Sequence, residues 1–275
     1  MTRRRDIERQ RHGLSEIRGI MNSMKTLAFM ETRKLSGFLN AQQTAIVHIE
    51  TVAADFLYFH PHLIPHSAEE RVAFIIVGSE RGFCGDFNRR LELSLVELLR
   101  KYSGENRELI VLGRKLHPLI RQIDPSAELL PGAGVLEEIP TQLDALSASL
   151  SRLYQAQGPD TLFCLFHDRS GEIRLSTLLP PFQQLKRTCD HGAIPPLLNQ
   201  PPAEFLAGLS EHYLFAFLHW ILYSSLMAEN HQRVTHLEGA LRHLDNQSKR
   251  LAHLSNVLRQ EEIIEEIEVI LLSVG

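Results

Sequence analysis

The chain has 275 residues, of which 44% are hydrophobic and 23% charged, with 16 glycines and 13 prolines. That composition excludes a collagen, a disordered tail and a disulfide scaffold, and the length allows one large domain or two ordinary ones. A net charge of −4 argues against a broad nucleic-acid surface, yet residues 1–34 hold nine Arg/Lys against four Asp/Glu, and residues 259–275 set Arg259 against five glutamates.

From about residue 3 to 58 there is no proline, and apolar residues recur at alternating steps of three and four. The series runs Leu14, Ile17, Met21, Met24, Ala28, Glu31, Leu35, Phe38, Gln42, Ala45, Ile49, Val52, Phe56, with only Glu31 and Gln42 polar. Such a stripe predicts a coiled-coil seam, on a helix roughly 80 Å long at 1.5 Å per residue. Gly13, Gly19 and Gly37 interrupt it. Each costs about 1 kcal/mol relative to Ala, and small residues also let another backbone come close. His60-Pro61 closes the zone.

The middle changes period. Arg71-Val-Ala-Phe-Ile-Ile-Val-Gly78 reads as a buried strand running into a glycine-rich turn. An amphipathic stretch (Leu91, Leu93, Leu95, Val96, Leu98, Leu99) follows, then a second strand from Glu108 to Gly113 and a helix near 139–156. A strand from Asp160 to His167 comes next, and a hairpin turn at Arg169-Ser-Gly171 leads into a strand from Ile173 to Leu179. Alternating strands and helices predict a small α/β domain with a largely parallel sheet. Pro195-Pro196 and Pro201-Pro202 bracket a linker, after which Val234, Leu237, Leu241, Leu244, Ser248, Leu251 and Leu258 resume the three-four spacing. The domains expected are therefore helix 1–60, α/β domain 70–190 and helix 203–275, the two helices pairing as an antiparallel coiled coil. At the very end Ile263, Ile264, Ile267, Val269, Ile270, Leu271 and Leu272 are apolar on more than one face. A helix of that kind is buried somewhere, and if it projects past its partner it needs a sleeve made by another protein.

Chemistry is hard to find. Gly78-Ser-Glu-Arg-Gly-Phe-Cys-Gly85 stands where a nucleotide-binding loop would, but it is neither GxGxxG nor GxxxxGK[ST]. Its simpler reading is a tight turn whose glycines take positive φ. His60, His62 and His66 share a proline-bearing loop, and His231, His236, His243 and His253 lack the i,i+4 spacing of a helical metal pair. Neither group predicts a metal site. Cys84, Cys164 and Cys189 sit in or beside apolar runs and read as buried thiols of a reducing compartment. No stretch reaches 18 uninterrupted apolar residues, so no membrane span is expected, and the start lacks a secretory h-region.

Taken together, these residues resemble the gamma subunit of F-type ATP synthases. Gly78-Ser-Glu-Arg-Gly-Phe-Cys-Gly-Asp-Phe-Asn88 is similar to that family's (S/T)-D-R-G-L-C-G-G-L-N, with Arg81, Gly82, Cys84, Gly85 and Asn88 in register. His60-Pro-His-Leu63 resembles H-P-Y/F-L. Asp6-Ile7, Ile20, Met24, Arg33 and Lys34 fall at the spacing of E-I…I-T-x-A-M…R-K. Ser176-Thr-Leu-Leu-Pro180 resembles the last domain strand. Glu229 and Arg233 match S-E-x-x-x-R-M, and Asn256, Arg259, Gln260, Ile263 and Glu266 match N-x-x-R-Q-x-x-I-T-x-E.

The resemblance implies a Rossmann-like α/β domain inserted between the two coiled-coil helices, and a non-catalytic rotor shaft. The shaft would couple ion-driven turning of a membrane c-ring to conformational cycling of a catalytic head of alpha and beta subunits, with an epsilon-type stalk subunit as a further partner. It implies no cofactor, no metal and no nucleotide bound by this chain, and a peripheral position on the cytoplasmic face of a bacterial inner membrane. Head contacts would fall on Arg9, Arg18, Lys25, Arg259, Gln260, Ile263, Ile267, Ile270 and Leu271, with Arg11 also on the basic collar. Residues 43–49 and 198–204 would face the c-ring. Glu8, Asn22, Lys25, Leu198, Leu237 and Ile264 depart from the family's usual residues, as in a divergent branch. The competing readings are a free-standing nucleotide-binding α/β enzyme with coiled-coil arms, and a tethering coiled coil that dimerises.

Overall fold

The computed structural model describes residues 2–63, 71–102, 107–155, 158–183, 185, 195 and 197–274. His66, Cys189 and most of the Pro195-Pro196 end of the linker lie outside them. Helix α1 spans Thr2–Phe59 without a break, and helix α5 spans Pro202–Val274. Between them come β1 (Val72–Val77), α2 (Phe87–Lys101), β2 (Arg107–Leu112), α3 (His117–Ile123), β3 (Glu128–Leu130), α4 (Ile139–Gln155), β4 (Thr161–His167) and β5 (Ile173–Leu179). Pro202 sits in the first turn of α5, where its missing N–H costs nothing. Two compact units divide the chain, one of Met1–Phe29 with Arg233–Gly275, the other of Met30–Gln232.

In the larger unit the sheet order is β3-β2-β1-β4-β5, with β5 antiparallel to β4 and every other pair parallel. Successive strand residues point to opposite faces, and β1 shows it. Ala73, Ile75 and Val77 join a core with α4 (Ile139, Leu143, Leu146) and with Leu35, Leu39, Leu218 and Leu222 of the long helices. Val72, Phe74 and Ile76 join a second core with Leu91 and Leu95 of α2 and Ile120 of α3. A sheet covered on both faces requires continuously apolar strands, and β1 and β4 are buried at every position. The ring pairs Phe38–Tyr223 and Phe56–Phe205 and the Tyr213–Glu50 hydrogen bond step along α1 and α5 in opposite senses, so the helices run antiparallel here. Ile46, Phe56, Leu57, Phe182, Leu206 and Tyr213 form a third core. Helix α5 includes an 18-residue window of mean hydropathy 1.2, apolar enough by length and composition to cross a bilayer. Only 33% of that window is buried within the protein, whereas residues 221–230 of the same helix are buried throughout.

The smaller unit is an antiparallel helix pair. Arg4 pairs with Glu262 (3.0 Å), Arg18 with Asp245 (2.7 Å) and Lys25 with Glu238 (3.7 Å). The basic start of α1 thus lies along the acidic end of α5, as the charge pattern predicts.

The expected seam of α1 is half right. Ala28, Leu35 and Phe56 are buried, but the alternate step falls one residue later than predicted, on Thr32, Leu39, Ile46 and Ala53. Phe38 and Val52 are instead about half exposed. Both members of the pairs 38/39, 45/46 and 52/53 are apolar, so periodicity alone cannot choose between them. The glycines differ from expectation too. A Cβ built on Gly13, Gly19 or Gly37 meets nothing within 4 Å, so none marks a close backbone approach.

Candidate functional site

Open α/β sheets bind ligands in the crevice beyond the carboxyl ends of their parallel strands. In this chain that crevice holds the turn 78–88, and carboxylates fill it. Glu229, buried on α5, accepts the backbone N–H of Glu80 (3.1 Å) with one oxygen and that of Arg81 (3.2 Å) with the other. Glu80 in turn accepts from the N–H of Gly132 (2.7 Å) and of Arg114 (3.1 Å), and pairs with the Arg114 guanidinium at 2.9 Å. These amides are the donors a phosphate would need. Bonds from backbone amides to carboxylates are charge-assisted, each worth about 1.5–3 kcal/mol, so a nucleotide would have to displace two such anchors.

The motif residues hold the turn. Asn88 accepts from the Ser79 N–H (3.0 Å) and donates to its hydroxyl (2.8 Å), and the Cys84 thiol donates to the same hydroxyl at 3.2 Å. Cys84 and Cys164 are buried thiols, neither of them in a disulfide. Positive φ occurs at Gly85 (58°) and at Phe83 (62°) but not at Gly82, which corrects the expectation that the motif glycines share one role. A Cβ on Gly82 would meet only Lys115, at 3.9 Å. Gly85→Ala is therefore expected to cost about 1–2 kcal/mol, and Gly82→Ala less than about 0.5. Urea titration of the two variants checks the difference.

His167 lies against this turn, its ring 3.9 Å from that of Phe87. Its nitrogens face the carbonyls of Phe87 (3.0 Å) and Gly171 (3.1 Å). Burial pulls its pKa below the ordinary value, and Arg90 adds to this, while the two carbonyls and Asp86 oppose it. His231 is shifted the same way by burial and Arg169. A native state that binds fewer protons than the unfolded chain loses stability as pH falls from about 6.5, the unfolded value, toward the lowered native one. The urea midpoint is accordingly expected to be level above neutral pH and to drop between pH 6.5 and 5. His167→Gln should flatten that drop, and an unchanged slope would remove His167 as its cause.

The residues expected to meet other subunits lie elsewhere, in the smaller unit. Arg18 and Lys25 are already paired with Asp245 and Glu238. Arg9 is exposed beside Asp6 (3.8 Å), and Arg259 and Gln260 are exposed. Beyond Glu262, which lies opposite Arg4, helix α5 outruns the start of α1. Ile263, Ile264, Ile267, Val269, Ile270, Leu271 and Leu272 are 45–83% exposed. At the other end of the long helices, Val47 and Leu197 are exposed while Leu198 packs on the third core. Among the described residues no group of three or more His, Cys, Asp or Glu is placed to hold a metal ion.

Sequence reasoning passed over Ser225 and Gln232, gave Glu31 and Glu80 no role, and noted Lys34 and Glu229 only as motif matches. Two of them carried a signal. Glu31 is a charge on an otherwise apolar seam, and Glu229 is the sole acid after Glu211 in a long apolar run. A charge in such a place is paired when buried.

One unit is a doubly wound α/β domain packed on two antiparallel helices, with its strand-end crevice occupied, and the other is an antiparallel helix pair with an exposed apolar end. Comparison with known proteins makes the class specific. Residues 3–274 match the ATP synthase family. Two relatives are each called ATP synthase gamma chain. One, from Caldanaerobacter subterraneus subsp. tengcongensis, is 23% identical over 96% of both chains. The other, from Clostridium botulinum, is 24% identical over 96% of this chain and 94% of its own. The fold is shared with the rotor of the Euglena gracilis mitochondrial ATP synthase (TM-score 0.61, 14% identity, 95% of this chain and 99% of that one). It is shared also with the central stalk and c-ring structure of Tetrahymena thermophila (TM-score 0.58, 17% identity, 80% and 99%). The chain belongs to the gamma-subunit family of F-type ATP synthases.

Proposed function

We propose that this chain is the rotor shaft of an ATP synthase, transmitting the turning of a c-ring to a head of alpha and beta subunits. In this reading residues 1–60 and 203–275 are the shaft and residues 70–190 its side domain. The chain contributes no group to the chemistry and works by presenting an asymmetric surface to the subunits that do. The observation that carries the reading is the tip. Seven large apolar side chains in one exposed stretch are far more than a monomeric surface leaves to water, and a bearing formed by the head would cover them. Arg9, Arg259 and Gln260 are free enough to meet that head. Arg18 and Lys25 would have to leave partners within the chain, a cost of about 0–1 kcal/mol for exposed pairs. Residues 43–49 and 198–204 would face the c-ring, an epsilon-type subunit would be a further partner, and the protein would sit peripherally on the cytoplasmic face of a bacterial membrane.

Affinity purification of the tagged chain from its native membrane tests this. Alpha, beta and c subunits are expected in stoichiometric yield. Their absence from a preparation in which the chain itself is folded would overturn the proposal.

A further inference from the structure

The α/β domain grips both long helices, and the grip forms a closed circuit. On α5, Ser225, Glu229 and Gln232 lie on one face at steps of four and three. Ser225 donates to the Val77 carbonyl (3.3 Å), Glu229 holds the N–H groups of Glu80 and Arg81, and Gln232 donates to Asp86 (3.2 Å). On α1, Glu31 accepts from the N–H of Leu136 (3.2 Å), and Lys34 bridges Glu31 (3.0 Å) and Glu137 (3.1 Å). The two loops so gripped are joined to each other. Glu80 holds the Gly132 N–H at 2.7 Å, and the Arg81 guanidinium lies so close over Gly134 that a Cβ there would stand 2.6 Å from its Nε. The antiparallel register that pairs Phe38 with Tyr223 and Glu50 with Tyr213 brings residues 31–34 and 229–232 to the same level.

Apolar packing between two helices is non-directional and lets them roll against each other. Hydrogen bonds from backbone amides to carboxylates fix direction as well as distance. We propose that the α/β domain is a torsion clamp, a belt of polar contacts that stops α1 and α5 from turning relative to each other, with Glu229 and Glu31 as its positioning residues. The proposal rests on the rotor reading above. It explains why the strand-end crevice is filled by carboxylates from the domain and from α5, and why the motif turn is built to present two successive N–H groups to a helix.

The test uses the assembled complex, with the head immobilised and a bead on the rotor, and reads the width of the bead's angular fluctuation at rest. Glu229→Ala removes one anchor and leaves the N–H groups of Glu80 and Arg81 without their carboxylate. Glu31→Ala combined with Lys34→Ala opens the other end, where neither side chain is fully buried. Arg152→Ala, which breaks the outlying contacts with Glu128 (2.6 Å) and Ser149 (2.9 Å), is the control. Each belt variant should widen the fluctuation about twofold and lower ions pumped per ATP hydrolysed, while the control matches the parent. If Glu229→Ala does not assemble, the α1 variant decides. A fluctuation equal to the parent's in a fully assembled α1 variant would overturn the clamp and leave the rotor intact. Failure of the parent itself to recover a head would instead count against the rotor.

Discussion

Removing residues 264–275 should cut recovery of the catalytic head by two to four orders of magnitude and leave the α/β unit as stable as before. Six of the seven exposed apolar side chains of the tip go with that segment. Full burial of each is worth about 1.5–3 kcal/mol. If association realises about a third of it after its entropic costs, about 3–6 kcal/mol of binding is lost. The unit Met30–Gln232 contributes nothing to that total, because the removed residues belong to the other unit. Titrated pull-down of the head and a urea unfolding curve report the two quantities separately. Equal recovery of the head would mean that the tip is not sheathed by it. A parallel fall in both would mean that the end of α5 supports folding and not a partner.

Gly113→Ala should be the most damaging single methyl in the domain, costing about 4 kcal/mol or more. Gly113 has a φ of +102°, a region in which a side chain is strained whatever the space. There is no space either, since a Cβ would stand 2.5 Å from the Gly78 carbonyl oxygen and 2.8 Å from that of Ser79. Neither backbone group can retreat. The Gly78 N–H is bonded to the Leu112 carbonyl (2.9 Å), and the Ser79 carbonyl accepts from Lys115 (3.1 Å). Gly78 has no freedom on its far side, because its own Cβ position lies 2.6 Å from that of Leu116. This crossing of two strand ends is what lets Glu80 reach the Gly132 amide, so the variant should also disorder the turn 78–88. Thermal unfolding measures the loss, and a fall of less than about 1 kcal/mol would show that the crossing yields.

Strong periodic signals in the sequence found the long elements, and the structure agrees with most of their bounds. The strand from Ile173 to Leu179 is placed to the residue, and β1, β4 and α4 to within about two. What escaped is short or long-range. Strand β3 has three residues and helix α3 seven, too few for either period to repeat. The true seam of α1 depends on which of two adjacent apolar residues meets the sheet and α5, a choice made in space. The candidate site divides in the same way. Its motif turn was visible as a string of glycines, but the partner that gives the turn its purpose, Glu229, lies some 150 residues further along the chain. Arg18 and Lys25 looked like free cations because their partners come from the far end of the other helix.

The three glycines of α1 have a last consequence. Gly13, Gly19 and Gly37 stand in an unbroken helix with empty space where each Cβ would be. Alanine would fit at every one and raise helix propensity by about 1 kcal/mol per site. Steric fit within the chain does not exclude it, so the helix is softer than its own packing demands. These positions are a ready handle for engineering: a graded series of one, two and three alanines would stiffen α1 against bending without altering a single buried contact, and would separate the part of its compliance that belongs to the backbone from the part that belongs to its neighbours.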